Sequence, residues 1–123
     1  MCDPKRIMIV DDEADICYLL GCMLREEHYS THAVGTLAAA INTLSGYAPC
    51  LIFLDVHLPD GSGLQLVERA NNLSPPPVVV LMSAHDYAAG REDPPGTGAD
   101  FFLAKPFTYD QVRRVLHRFL APA

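Results

Sequence analysis

Short, uniformly apolar runs take turns with segments whose apolar residues recur at helical spacing, and this alternation constrains the chain more than any other feature. Ile7–Val10 (IMIV) is the first run, and Ile16, Leu19, Leu20, Met23 and Leu24 follow at offsets 0, 3, 4, 7 and 8, the stripe of an amphipathic helix. Thr31–Val34 reads as a weaker second strand. Leu37, Ala40, Ile41 and Leu44 repeat the helical spacing, with Thr36 placed as N-cap. Cys50–Leu54 is a third strand, Leu64, Val67 and Ala70 mark a third helix, and three prolines (75–77) precede a fourth strand, Val78–Met82. Phe101–Leu103 is the fifth. Before the last helix, Thr108 and Gln111 form a capping box with Phe107 and Val112 as its hydrophobic staple. Val112, Val115, Leu116, Phe119 and Leu120 then give its buried stripe. Strands that are apolar throughout belong to sheets covered on both faces, and strict strand–helix alternation belongs to parallel sheets with right-handed crossovers. The fold class is therefore α/β, with a five-stranded parallel sheet.

One unit departs from the pattern. Residues 86–100 hold three glycines and the Pro94-Pro95 pair. Proline inside a helix costs about 3 kcal/mol and each glycine about 1 kcal/mol relative to alanine. The fourth helix is thus expected to be short or irregular, a turn or two around Tyr87–Gly90. The 123 residues, half of them apolar, suit one domain over 1–123, with no linker long enough to divide it. Nine Lys plus Arg against fifteen Asp plus Glu leave a formal charge of −6, which disfavours direct binding to nucleic acid. The apolar runs are too short to span a bilayer, and MCDPKR followed by four apolar residues is not a signal peptide, so a cytoplasmic protein without membrane contact is expected. The four cysteines (Cys2, Cys17, Cys22, Cys50) lack CxxC or zinc-ligand spacing and read as reduced thiols used in packing.

Ligands of open α/β sheets bind beyond the carboxyl ends of the strands. There the chain carries Asp11, Asp12 and Glu13 after the first strand, Asp55 after the third, Ser83 after the fourth and Lys105 after the fifth. Taken singly, Asp12 could be a helix cap, Ser83 a turn residue and Lys105 a solvated charge. Taken together, the carboxylates need a partner, since two of them about 4 Å apart repel by roughly 4 kcal/mol at an effective dielectric near 20. Oxygen ligands suit a hard divalent ion such as Mg²⁺, and Lys105 supplies a further positive charge. This set fits phosphoryl transfer: Asp55 as nucleophile forming an acyl phosphate, Asp11 and Asp12 holding the metal, Ser83 and Lys105 meeting phosphoryl oxygens.

IMIVDDE, the Asp55 of LIFLDVHLPDGSGL, the Ser83-Ala84 of VLMSAHD and the Lys105-Pro106-Phe107 of FFLAKPF resemble, in order and spacing across essentially the whole chain, the receiver domain of bacterial two-component response regulators. The resemblance implies a flavodoxin-like, doubly wound (βα)5 fold with strand order 2-1-3-4-5. It implies a phosphorylation-dependent switch that accepts a phosphoryl group from a sensor histidine kinase or phosphotransfer protein onto Asp55 with Mg²⁺. The surface around the fifth strand and the fourth and fifth helices would change, with at most slow autodephosphorylation and with an output domain or a second copy as further partner. Position by position, Asp12 and Asp55 would bind Mg²⁺ through side chains, Asp11 mainly through water and His57 through its backbone carbonyl. Ser83 takes the switch hydroxyl position. Phe102 takes the switch aromatic position, turning inward as Ser83 moves, the other reading being a static core ring. The Lys105–Pro106 peptide would be cis, and Pro59, Gly61 and Gly63 match the turn after the phosphorylated strand, where glycine permits positive φ. His57 and His85, each two residues beyond a reactive position, read as solvent-facing groups at the pocket mouth or as groups that tune the hydrolytic water.

Three rivals fit less well. A haloacid-dehalogenase-like phosphohydrolase would place an acid where this chain has His57, and a flavin module would want a phosphate loop where it has Asp11-Asp12-Glu13. A pseudo-receiver that docks partners without phosphorylation would normally have lost part of the set.

Overall fold

A computed structural model describes residues 3–83 and 97–120. In chain order the elements are β1 (Asp3–Val10), α1 (Ala14–Glu26), β2 (Ser30–Val34), α2 (Leu37–Tyr47), β3 (Pro49–Asp55), β4 (His57–Leu58), β5 (Gly61–Ser62), α3 (Leu64–Asn71), β6 (Val78–Ser83), β7 (Phe101–Ala104) and α4 (Tyr109–Phe119). The five longer strands pair in parallel as β2-β1-β3-β6-β7, which is 2-1-3-4-5 counted along the chain. This is the doubly wound strand order that the resemblance implies. The two short strands form a separate antiparallel hairpin directly after β3, with His57 opposite Ser62.

Alternate residues of β1, β3, β6 and β7 supply two cores, one on each face. Met8, Val10, Ile52, Leu54, Val79, Leu81 and Phe102 pack with Leu37, Ala40 and Leu44 of α2 and Leu66, Val67 and Ala70 of α3. Ile7, Ile9, Leu51, Phe53, Val80, Met82 and Leu103 pack with Leu20 and Leu24 of α1 and Val112, Val115 and Leu116 of α4. β3, buried at every position, lies between β1 and β6 at the middle of the sheet. Side chains thus alternate between the cores although the sequence is apolar throughout.

The caps show why two helices start where they do. Thr36 accepts a hydrogen bond from the Ala39 amide (3.1 Å), and Thr108 and Gln111 satisfy each other's backbone donors in the capping box. The staple partners Phe107 and Val112 lie buried in one core. α1 differs from expectation twice. Its N-cap is Glu13, whose side chain makes no capping bond, so Asp12 is not the cap. Leu19 is 49% exposed beside Tyr18, because the helix turns only a narrow stripe inward around Leu20, Gly21 and Leu24.

Strand β1 begins before its apolar run. Arg6 pairs with Ser30 in register, and its guanidinium donates to the Tyr47 carbonyl (2.9 Å) while lying over the Tyr47 ring. Cys17, Cys22 and Cys50 form no disulfide among the described residues, and Cys2 lies outside them. The short helix expected at Tyr87–Gly90, and nearly all of the 86–98 stretch, also lie outside them. Thr97 and Gly98 form a turn fastened to α3 by Asn71, which donates to the Gly98 carbonyl (3.1 Å). Asp100 then brackets Val79, donating its amide to the Val79 carbonyl and accepting the Val79 amide (both 2.8 Å). Among the described residues no helix is long and apolar enough to cross a membrane.

Candidate functional site

Parallel strands in matched register end at one level, and four of them deliver polar residues there. Val10 pairs with Leu54, Asp55 with Met82 and Ser83 with Ala104. Asp11 follows β1 and donates its amide to the Val34 carbonyl, while Lys105 follows β7 and donates its amide to the Ser83 carbonyl (2.8 Å). Asp11, Asp55 and Ser83 are the buried polar residues at this edge, whereas Asp12 is exposed. The Lys105–Pro106 peptide is cis, as the resemblance implies.

Oxygens of Asp11, Asp12 and Asp55 lie within 4.8 Å of one another. The Lys105 ammonium stands 2.7 Å from Asp11 Oδ2, 3.0 Å from Glu13 Oε1 and 3.5 Å from Asp55 Oδ2. Asp11 Oδ1 accepts the Glu13 amide (2.9 Å) and Asp55 Oδ1 the His57 amide (3.2 Å). Burial, then the charge of Asp11, pushes the Asp55 carboxyl above its ordinary pKa, against the pull of the His57 amide and Lys105. Burial lowers the Lys105 amine, but its hydrogen bonds to Asp11 and Glu13 and the charges of Asp11 and Asp55 outweigh it and hold the amine above its usual value. Burial, then Asp11, likewise raises the Cys17 thiol, whose Sγ donates to the Asp11 carbonyl (3.3 Å).

These residues fit a hard divalent cation. All the candidate ligands offer oxygen, their three carboxylates lie within 4.8 Å of one another and repel, and Lys105 is a single positive charge among them.

Of the two glycines in the turn after Asp55, one meets the expectation and one does not. Gly61 has φ of +155°, but Gly63 has φ of −57°, so positive φ is not its reason. A Cβ at Gly63 would fall on the Asp55 carbonyl oxygen; glycine lets the start of α3 lie against the end of β3. Phe102 is fully buried against the α2–α3 core, so the inward position is already filled by its ring. The His57 side chain is exposed, and His85 and Ala84 lie outside the described residues.

Two contributors were not assigned a role from the sequence. Glu13 grips Lys105, and its only signal was membership of the acidic run. Asp60, in the hairpin turn, accepts the Leu37 amide at Oδ1 (2.7 Å) and the Ala38 amide at Oδ2 (2.9 Å), clamping the turn to the N-terminus of α2. The Ala38 and then the Leu37 amide hold its carboxyl below the usual range. A Pro-Asp-Gly triplet by itself signals only a turn.

The sequence matches the family described as the response regulator receiver domain over residues 7–117. The chain belongs to that family. Receiver domains are regulatory modules of two-component systems. The probable transcriptional regulatory protein TcrX of Mycobacterium tuberculosis is 30% identical over 109 residues, covering 89% of this chain and 47% of TcrX. Sporulation initiation phosphotransferase F of Bacillus subtilis is 27% identical over 116 residues, covering 94% of each. This receiver therefore spans about half of one relative and almost all of another. Among solved structures, response regulator TrrA of Thermotoga maritima in complex with Mg²⁺–BeF is similar with a TM-score of 0.82 at 28% identity, over 94% of this chain and 99% of that one.

Proposed function

We propose that residues 1–123 form one receiver domain that switches a signalling output when Asp55 is phosphorylated by a sensor histidine kinase or phosphotransfer protein. The observation that carries this reading is the setting of Asp55: buried at the end of the central strand, with two carboxylates and one ammonium around it. An Asp55 carboxylate oxygen attacks the phosphorus of a phosphohistidine. The P–N bond breaks, its electron pair stays on the imidazole nitrogen, and that nitrogen takes a proton from solvent. The side chains of Asp12 and Asp55, Asp11 through water and the His57 carbonyl would hold Mg²⁺, which when bound would offset the negative charge of the phosphoryl oxygens.

Lys105 and Ser83 orient the phosphoryl group, Lys105 by charge and Ser83 by its hydroxyl. The His57 amide, donating to Asp55 Oδ1, helps to orient that carboxylate. A phosphoryl group adds roughly two negative charges and three acceptor oxygens, and drawing Ser83 and Lys105 toward them stabilises one arrangement of β6 and β7 over another. Any movement of Phe102 begins from a buried ring, so its contribution is a repacking within the α2–α3 core. Hydrolysis of the acyl phosphate by this domain alone is slow. Output passes to an attached or separate partner, in the cytoplasm, with no direct contact to nucleic acid or membrane.

The test is intact mass after incubation with acetyl phosphate and Mg²⁺. The wild type gains one phosphoryl group. Asp55→Asn, or the wild type in excess chelator, gains none; equal labelling of the variant would contradict the assignment.

A further inference from the structure

We propose that Glu13 is a positioning residue, a latch that holds the Lys105 ammonium on the β1 side of the site until a phosphoryl group on Asp55 draws it across. This rests on the phosphoacceptor reading and adds a control element to it. Lys105 divides its contacts unequally: 2.7 Å to Asp11, 3.0 Å to Glu13 and 3.5 Å to Asp55. The amine therefore rests nearer the two acids of the β1–α1 turn than the nucleophile it is expected to serve.

The two holding groups differ in kind. The Asp11 side chain is wholly buried and fixed through the Glu13 amide. The Glu13 side chain is 59% exposed, so it can return to water at little cost when Lys105 leaves. Its backbone, however, is pinned as the N-cap of α1 by the amide bond to Asp11 Oδ1. With the backbone fixed, side-chain length decides whether the carboxylate reaches Lys105. A phosphoryl group is the stronger acceptor, and Lys105 exchanges Glu13 for one of its oxygens. Glu13 thus competes with the phosphoryl group for one ammonium, and its grip slows entry into the phosphorylated state.

This makes Glu13→Asp informative beside Glu13→Gln. Aspartate keeps the charge but is shorter by one methylene and loses the contact; glutamine keeps the length and loses the charge. At saturating Mg²⁺, with thermal midpoints confirming that both variants fold, the initial rate of labelling by acetyl phosphate is expected to rise about two- to fivefold in both, the size of a half-exposed ion pair. In chelator, the Lys105 ¹⁵Nζ signal, assigned with Lys105→Arg, is expected to be protected from solvent exchange in the wild type and to lose that protection in both variants. If Glu13→Asp behaves as wild type in rate and in Lys105 signal while Glu13→Gln differs, Glu13 acts only through its charge and the latch is refuted. If the wild type is labelled on Asp55 but neither variant changes, the latch fails and the phosphoacceptor reading stands. If the wild type takes no label, that reading fails, while the Lys105 signal still decides whether Glu13 holds the amine.

Discussion

Asp55 is costly to the folded chain in the absence of a cation. Its carboxyl is raised above its value of 3.8 by burial and by Asp11, so ionising it costs more in the folded chain than in the unfolded one. For an acid shifted upward, stability falls as pH climbs from the unfolded value through the raised folded one. Asp55→Asn removes that cost and leaves Lys105 with Asp11 and Glu13. In chelator at pH 7 the variant is expected to melt at a higher temperature than the wild type, a gain that Mg²⁺ confers on the wild type instead. Thermal denaturation with and without Mg²⁺ checks this; a variant that melts lower in chelator would contradict it. Asp60 has the opposite sign. Its carboxyl is lowered by the Ala38 and Leu37 amides, so its contribution is present above the unfolded carboxylate value and is lost as pH falls through the lower folded one. Asp60→Ala is expected to speed hydrogen exchange at the Leu37 and Ala38 amides at pH 7 while leaving those of β3 protected. Asp55, Ser83 and Lys105 were legible because each follows an apolar run. Glu13 and Asp60 were not, because their partners lie 92 and about 23 residues away and no local pattern records such contacts.

Elements were most legible where a cap and a stripe agree. α4 has both, and Thr108→Ala is expected to cost about 1 kcal/mol in urea denaturation without changing the phosphorylated residue. In α1, spacing placed Leu19 on the buried stripe, but periodicity cannot give the width of the strip a sheet covers, and Leu19 falls beyond it. The β4–β5 hairpin left no readable pattern because strands of two residues are too short to show alternation. Gly63 sits where that hairpin meets α3. Its need for glycine comes from contact with the Asp55 carbonyl, which sequence alone cannot distinguish from a need for positive φ. Gly63→Ala is expected to cost about 1–3 kcal/mol as an overpacked site. It should also shift the Asp55 and Val56 resonances; unchanged spectra and stability would show that the close approach is not real.

At the scale of the molecule, the sheet order brings the chemistry together. The β2-β1-β3-β6-β7 order puts β3 between β1 and β6, so Asp55 faces Asp11 on one side and the Ser83 strand on the other, with Lys105 reaching in from beyond the edge strand. Alternation in the sequence predicted a parallel sheet and its covered faces, but not this order, which came from the resemblance and agrees with the pairing. The site exists only in the folded chain, because its four strand ends come from positions 11, 55, 83 and 105. The most direct measurement is to phosphorylate the protein with acetyl phosphate and Mg²⁺, trap the product by borohydride reduction and locate the reduced residue by peptide sequencing. An acyl phosphate on Asp55 should yield homoserine at position 55 and nowhere else; homoserine at another aspartate, or none at all, would contradict the proposal that this cluster makes Asp55 a phosphoacceptor.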